Sequence, residues 1–183
     1  MTPTVDVVHG ELIGALCAVE HLPDGGEQVD QLQRALHCAA PARAVGVDDE
    51  PIVVALLHDV GRSPALIDSA QGADHGENAE RWLAPRTGAR VAWLVGQHVP
   101  AKRFLCTVEP DYDLSEPSAR SLRAQGGPMT PVEVDQFRAH PDAGQAIDLR
   151  RWDDLAKDPE ARVAPLSDYE GPLRRVIAAA HAS

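Results

Sequence analysis

Three histidines and two aspartates have the side-chain types, and the order along the chain, that are typical of a metal site. They are His58, Asp59, His75, His98 and Asp153. His58 and Asp59 stand side by side at the end of the apolar run 52–57, where burying an imidazole and a carboxylate is costly unless both find a partner. Imidazole together with carboxylate suits iron, manganese or zinc better than calcium or magnesium. The series therefore predicts a buried transition-metal site.

The composition predicts a helical protein whose core consists mostly of small and aliphatic side chains. The chain has 183 residues, of which 44% are hydrophobic and only 4% aromatic. This length fits one domain, 1–183, with a core of its own. Ala, Leu and Val supply most of that core, which favours closely packed helices. Helical periodicity recurs along the whole sequence and strand-like alternation is scarce, so we predict an all-α fold.

The charge and the remaining composition exclude several classes of function. The formal net charge is −11 and no run of Lys or Arg exceeds two residues, which excludes binding to a nucleic-acid backbone. No segment has the length of a transmembrane helix, and the first residues lack the pattern of a signal peptide. The three cysteines form no CxxC pair and are expected to be reduced. We therefore expect a cytoplasmic protein that contacts no membrane.

The expected elements place the metal-binding residues on helices and two loops beside the site. Nine helices are predicted, at 5–20, 27–45, 51–60, 75–83, 89–98, 115–124, 131–139, 142–156 and 172–182. His58 and Asp59 fall on the third of them, about 100° apart around its axis, and Gly61 is expected to end it. Segments 102–114 and 126–129 are predicted loops that line the site.

The segments around these residues carry a family resemblance over roughly 25–157. They include Leu-Leu-His-Asp-Val-Gly at 56–61, Lys-Arg-Phe-Leu at 102–105, Gln-Gly-Gly-Pro-Met at 125–129 and Leu-Arg-Arg-Trp-Asp-Asp-Leu-Ala-Lys at 149–157. The chain resembles the HD-domain mixed-valent diiron oxygenases, and within them the phosphonate-degrading members such as 2-amino-1-hydroxyethylphosphonate dioxygenase. Myo-inositol oxygenase is a more distant relative. The resemblance implies a compact HD-domain helical bundle.

The resemblance also implies two irons and their ligands. One iron would be bound by an earlier His together with His58, Asp59 and Asp153, and the other by Asp59, His75 and His98. In this family a mixed-valent iron pair activates O₂, and oxygen insertion then breaks a C–P bond or hydroxylates a C–H bond. Iron is therefore the expected cofactor, as one or two ions, with manganese or zinc as the other metals that these ligands suit.

The same resemblance implies a small anionic substrate, with a phosphonate as the leading candidate. Lys102, Arg150 and a serine of the segment 118–121, either Ser118 or Ser121, would bind its phosphonate oxygens. Lysine and arginine are the expected partners of such an oxyanion. The substrate and O₂ are thus the expected partners.

The sequence departs from the family at the first metal ligand. The family has a His seven residues after the Glu of its Tyr-Gly-Gly-Glu motif, and counting from Glu27 leads to Arg34. A guanidinium has no free lone pair for a metal. In the interpretation that we favour, Arg34 faces the site, replaces the first metal and forms a buried ion pair near Asp59 and Asp153. One metal would then remain on the other ligands.

Two other interpretations of this position stay open. His37 could take the place of the missing ligand, although it lies about 60° further around the helix and about 4.5 Å further along it. Alternatively, Arg34 pairs with Asp30 on the surface, which would contribute only a few tenths of a kcal/mol.

Two more positions differ from the family motif. Asp24 stands where the family has a Tyr that covers an iron site, so Asp24 is either a turn residue or a carboxylate that reaches the metal. With Glu27 and Asp59 it forms the expected catalytic group. Arg62 replaces a His that contacts substrate in the family. It would bind the anionic substrate, or else simply complement the dipole at a helix C-terminus.

These observations lead to four hypotheses of function. The first is an HD-domain, iron-dependent oxygenase that acts on a small anionic substrate, plausibly a phosphonate, with a modified metal site. The second is a metal-dependent phosphohydrolase, because one metal with a bound hydroxide suits hydrolysis. The third is a non-catalytic relative that binds a ligand. The fourth is an enzyme that uses one metal for chemistry foreign to the family.

Overall fold

The computed structural model describes residues 3–23, 29–46, 48–67, 75–156, 158 and 160–182. Within these ranges it contains eleven α-helices and no strand, and the only β-type pairing is an isolated bridge between Pro23 and Asp30. The all-α prediction is therefore confirmed. None of the helices in these ranges is long and apolar enough to cross a membrane.

The helices follow one another through the described ranges with short connections. They are α1 (Val5–Cys17), α2 (Gln31–Ala44), α3 (Asp49–Leu57), α4 (Pro64–Ile67), α5 (His75–Thr87), α6 (Ala89–Gly96), α7 (His98–Val108), α8 (Glu116–Ala124), α9 (Pro131–Ala139), α10 (Ala143–Leu155) and α11 (Glu170–His181). Two short 3₁₀ turns lie at Val60–Arg62 and Leu166–Tyr169.

Helix α3 lies at the centre of the packing. Every residue from Ile52 to Leu57 is buried, and the helix packs against α2, α6, α10 and α11. A helix that is apolar on all sides must be surrounded by other elements. The position of α3 fixes the place of the residues that follow it, so its C-terminal end is a rigid support for a site.

The end of α3 differs from the prediction in a way that matters for the site. The helix ends at Leu57 and not at Val60; His58 keeps helical angles, but Asp59, at φ −107° and ψ 11°, leaves the helix. The prediction that His58 and Asp59 share one helix was therefore wrong at Asp59. Because its backbone has turned, Asp59 projects from a 3₁₀ turn toward helices that come later in the chain.

Gly61 belongs to that turn and does not serve as a left-handed helix cap. A Cβ atom at this position would lie 1.9 Å from the carbonyl oxygen of His75. Only glycine permits such a close backbone approach. The glycine therefore allows the start of α5, which carries His75, to lie directly against the turn that carries Asp59.

The predicted loop 102–114 is also wrong in its first half, because α7 continues to Val108. The predicted helix 89–98 was expected to end at His98. In the structure Gln97 separates α6 from α7, and Pro100 is the third residue of α7. A proline is tolerated there, because the N–H groups of the first helical turn have no partner within the helix.

Capping residues define the starts of two other helices. Helix α2 begins at Gln31 and not at residue 27, because the Asp30 carboxylate accepts a 2.8 Å hydrogen bond from the backbone N–H of Gln33. Gln33 completes a capping box. Thr130 caps α9 in the same way, and Glu133 completes its capping box.

Candidate metal centre

The predicted ligands converge at one cavity of about 340 Å³. His75 and His98 are the first residues of α5 and α7, and Asp153 is in the last turns of α10. These residues and Asp59 line the cavity, whereas His58 is fully buried behind it. Elements that are far apart in the sequence thus bring together all five residues of the predicted series.

Asp59, His75 and His98 have the geometry of three ligands of one metal. The Nε2 atoms of the two histidines are 2.9 Å apart, and they lie 3.3 and 3.5 Å from Oδ1 of Asp59. Three ligand atoms at about 2.1 Å from a common ion would be about 3.0–3.4 Å apart. This is the only group of three or more such ligands found in the described part of the chain.

The protonation of these groups suits a metal. Nδ1 of His98 lies 2.8 Å from the carbonyl oxygen of Val95, which fixes the proton on Nδ1 and turns the lone pair of Nε2 into the site. Burial and the neighbouring His75 lower the pKa of His98 to about 3. Oδ1 of Asp59 is buried and has an ion-pair contact with Nε of Arg62 at 3.1 Å, but no contact from the described residues has hydrogen-bond geometry. A cation at this point would satisfy both groups.

The ring of His58 is held like that of His98, by a backbone carbonyl three residues earlier, but its Nε2 faces different neighbours. Its Nδ1 lies 2.8 Å from the carbonyl oxygen of Ala55, and its Nε2 lies 3.3 Å from Oδ1 of Asp153 and 3.5 Å from Oδ2 of Asp59. This Nε2 is buried without a hydrogen-bond partner among the described residues. Burial alone would lower the pKa of His58, but Cys38 and the two carboxylates raise it well above its ordinary value.

Arg34 lies at the place where a first metal would meet Asp153. Its Nε and Nη2 atoms are 2.7 and 2.5 Å from Oδ1 of Asp153, the same oxygen that faces His58. Both side chains are buried, with exposed fractions of 7% and 2%. The guanidinium therefore occupies the lone pairs that Asp153 would offer to a metal bound by His58.

The surrounding cations keep both carboxylates ionised. Burial would raise the pKa of Asp153, but Arg34, Arg150 and His58 hold it well below its ordinary value. Burial would likewise raise the pKa of Asp59, and Arg62 together with His58 holds it well below the ordinary value. Asp59 thus carries the negative charge that favours metal binding, and Asp153 carries the negative charge of its ion pairs.

The two other interpretations of Arg34 find less support in these contacts. Asp30 caps α2 through the N–H of Gln33, while Arg34 is buried against Asp153. His37 is buried, and burial lowers its pKa despite the nearby Asp158 and the backbone of Ala156. The residues that line the cavity include Arg34 but not His37.

The wall of the cavity is rich in cations. Five cationic side chains line the cavity against two carboxylates, in a protein whose net charge is −11. They are Arg34, Arg62, Lys102, Arg120 and Arg150. Lys102 is buried and donates a 2.9 Å hydrogen bond to Oγ of Ser121, which in turn donates to the backbone carbonyl of Ser118. This wall suits an anion.

Arg62 lines the cavity, whereas the glycine-rich segment 126–129 does not. Nε of Arg62 lies 3.1 Å from Oδ1 of Asp59, and the side chain lines the cavity. The predicted lining loop 126–129 is not part of the wall; its carbonyl at Gly127 accepts a 2.8 Å hydrogen bond from Nε of Arg103. Gln125, just before it, does line the cavity. Asp24 and Glu27 lie outside the described residues.

Sequence reasoning missed two groups of residues near the site. Tyr112 and Asp154 both bind the guanidinium of Arg150, which also donates a 2.5 Å hydrogen bond to Asp153. Cys38, one helical turn after Arg34, is fully buried beside His58, and burial raises its pKa. The two adjacent aspartates at 153–154 could have indicated a role for Asp154, but no pattern in the sequence indicated one for Tyr112 or Cys38.

Two enzymes with known reactions are similar to most of this chain. The hydroxymethylphosphonate dioxygenase of Gimesia maris is 41% identical over 154 residues, which cover 78% of this chain and 75% of the relative. The chain belongs to the phosphonate-degrading HD-domain oxygenases. A [1-hydroxy-2-(trimethylamino)ethyl]phosphonate dioxygenase (glycine-betaine-forming) of Leisingera caerulea is 36% identical over 159 residues, 83% of this chain and 81% of the relative.

A third relative is an uncharacterised protein of Acanthamoeba polyphaga mimivirus. It is 30% identical over 153 residues, which cover 79% of this chain and 70% of the relative. No family model matches the chain. As a member of this family the protein is an oxygenase that has a metal cofactor and acts on a small molecule with O₂.

Proposed function

We propose that the protein is an iron-dependent oxygenase that cleaves the C–P bond of a small phosphonate with a single metal ion. The observation that carries this proposal is the set of Asp59, His75 and His98 at the base of a cation-lined cavity. Two histidines and one carboxylate with open positions are the ligand set of mononuclear non-haem iron oxygenases. Bound there, iron would supply the binding and activation of O₂.

The ion pair between Arg34 and Asp153 supports one metal in place of two. A first metal would need His58, Asp59 and Asp153 as ligands, and the guanidinium already contacts the Asp153 oxygen on the His58 side. A fixed positive charge at this point also disfavours a second cation nearby. We assign His58 a supporting role, in which it is held between the two carboxylates.

The phosphonate would lie against the cationic wall. Lys102 and Ser121 supply a cation and a hydroxyl that are already 2.9 Å apart. Ser118, on the same face of α8 as Ser121, and Gln125 line the same side. Arg150 uses three of its five N–H donors on Tyr112, Asp153 and Asp154, which leaves two for an oxyanion.

The proposed reaction balances with O₂ as the only oxidant. One α-hydroxyphosphonate and one O₂ give one carboxylate and one inorganic phosphate; the C–H and C–P bonds of the substrate break and supply all four electrons. No external reductant is required. The site needs only to hold the phosphonate so that its α-carbon faces the metal ligands.

Aerobic turnover of protein loaded with Fe(II) tests this function. Hydroxymethylphosphonate and [1-hydroxy-2-(trimethylamino)ethyl]phosphonate would be supplied, and O₂ consumption and phosphate release measured together. We expect equal amounts of the two for at least one substrate. Phosphate release that continues without O₂ would point to the phosphohydrolase alternative, and the absence of any phosphonate binding would point to a non-catalytic relative.

Phosphonate binding is expected to weaken as the pH rises through about 8. Burial, together with the neighbouring Arg150, lowers the pKa of Lys102 to about 8, so Lys102 carries its charge below this pH and loses it above. The dissociation constant of methylphosphonate should rise by up to about tenfold per pH unit above that point. Isothermal titration calorimetry between pH 6.5 and 9.5 measures this effect.

The Lys102→Arg variant is the matched control, because arginine stays charged over the whole range. Its dissociation constant should be nearly independent of pH above 8. The same slope in the variant and the wild type would show that Lys102 is not the titrating group.

A further inference from the structure

Arg150 is held on three sides by neighbours that the oxygenase function does not by itself require. Its Nε donates a 2.8 Å hydrogen bond to the hydroxyl oxygen of Tyr112, its Nη1 donates to Asp153 at 2.5 Å, and its Nη2 donates to Oδ1 of Asp154. The side chain is buried, with an exposed fraction of 4%. A guanidinium held in this way has one orientation relative to the cavity.

Tyr112 closes this arrangement into a ring of hydrogen bonds. Its hydroxyl oxygen accepts a hydrogen bond from Nε of Arg150. A carboxylate can only accept hydrogen bonds, so the Tyr112 hydroxyl must donate one to Oδ2 of Asp154. Burial and the Asp154 carboxylate raise the pKa of Tyr112, so this proton stays in place. Arg150, Tyr112 and Asp154 therefore fix one another.

The ring links two parts of the cavity wall. Asp154 and Arg150 belong to α10, and Tyr112 belongs to the segment 109–115 between α7, which carries Lys102, and α8, which carries Ser118 and Ser121. Asp153, on the other side of Arg150, reaches Arg34 on α2. Ionic and hydrogen bonds thus run from Tyr112 through Arg150 and Asp153 to Arg34.

We infer that Tyr112 and Asp154 are positioning residues, which orient the Arg150 guanidinium for the phosphonate and act on the substrate only through it. The inference rests on the proposed function, because it assumes a phosphonate in the cavity. Removing either group would leave the Arg150 charge in place but would free it to rotate away from the substrate. The loss should therefore fall on substrate binding, and metal content should not change.

Binding of methylphosphonate to protein loaded with Fe(II) in the absence of O₂ tests this inference. We expect Tyr112→Phe to raise the dissociation constant by about tenfold, as supporting partners of a site commonly do, and Asp154→Asn to raise it by a similar factor. In turnover, KM should rise more than kcat falls. Metal per chain should stay at the wild-type value, and circular dichroism should show that both variants remain folded.

Two controls separate positioning from general damage to the fold. Tyr169→Phe removes the hydroxyl of a tyrosine that is fully buried but does not line this cavity, and it should leave the dissociation constant unchanged. In an Arg150→Ala background, Tyr112→Phe should have no further effect, because the residue through which it acts is gone.

The possible outcomes distinguish a failure of this inference from a failure of the proposed function on which it rests. Unchanged binding in Tyr112→Phe, with methylphosphonate bound normally by the wild type, would overturn the positioning role and leave the oxygenase proposal intact. An equal loss from Tyr112→Phe in the Arg150→Ala background would also overturn it. Failure of the wild type to bind any phosphonate would overturn both.

Discussion

Replacing Asp59 by Asn is expected to remove the metal and to lower kcat/KM for the phosphonate substrate by more than about 100-fold. Loss of a mere supporting partner commonly costs 10–100-fold in metal affinity or activity, and Asp59 is proposed to be a ligand itself. Its Oδ1 faces both His75 and His98, at 3.3 and 3.5 Å. The amide keeps the shape of the side chain but lacks the negative charge that attracts the metal cation in the 2-His-1-carboxylate ligand set.

Metal per chain after dialysis, together with O₂ consumption, measures this effect. Asp135→Asn is the matched control, because Asp135 is exposed on α9 and should change neither quantity. Circular dichroism would establish that the Asp59→Asn variant is folded. If the variant kept wild-type metal content, Asp59 would not be a ligand and the assignment of the site would be wrong.

Replacing Arg34 by Met is expected to lower the free energy of unfolding by about 3 kcal/mol, because breaking a buried ion pair leaves a charge without its partner. Arg34 and Asp153 are both buried and joined by contacts of 2.5 and 2.7 Å. Asp153 would still contact Arg150 and His58, which places the loss at the lower end of the usual range.

Urea denaturation in the presence of a chelator measures this loss without any contribution from bound metal. Arg174→Met is the control; its ion pair with Asp6 is exposed on both sides, and such pairs contribute less than about 1 kcal/mol. A loss in Arg34→Met no larger than that of the control would contradict the buried ion pair.

The sequence was sufficient for the fold class and for choosing five candidate ligands that the structure brings together, but not for their local geometry. His58, His75 and His98 could be chosen because an apolar run and a family motif surround them. The exit of Asp59 from α3 could not be predicted, because it depends on Gly61 accepting the close approach of the His75 carbonyl. That contact joins segments that are distant along the chain.

Sequence reasoning also placed Lys102 in a loop and missed the partners of Arg150. The predicted helix 89–98 ended at His98, so Lys102 was assigned to a loop. In the structure a new helix begins at His98, and Pro100 is compatible with its first turn. The ring of Tyr112, Arg150 and Asp154 spans 38 residues between Tyr112 and Arg150. No local pattern encodes a contact of that range.

Metal per chain in the wild type and in Arg34→His tests the single-metal site most directly. Elemental analysis of iron-supplemented protein should give one ion per chain in the wild type. In Arg34→His it should approach two, since the imidazole would join His58, Asp59 and Asp153 as ligands. Arg34→Gln, which removes the charge but provides no comparable ligand, should stay at one. Two ions per chain in the wild type would contradict the assignment of Arg34 to the place of the first metal.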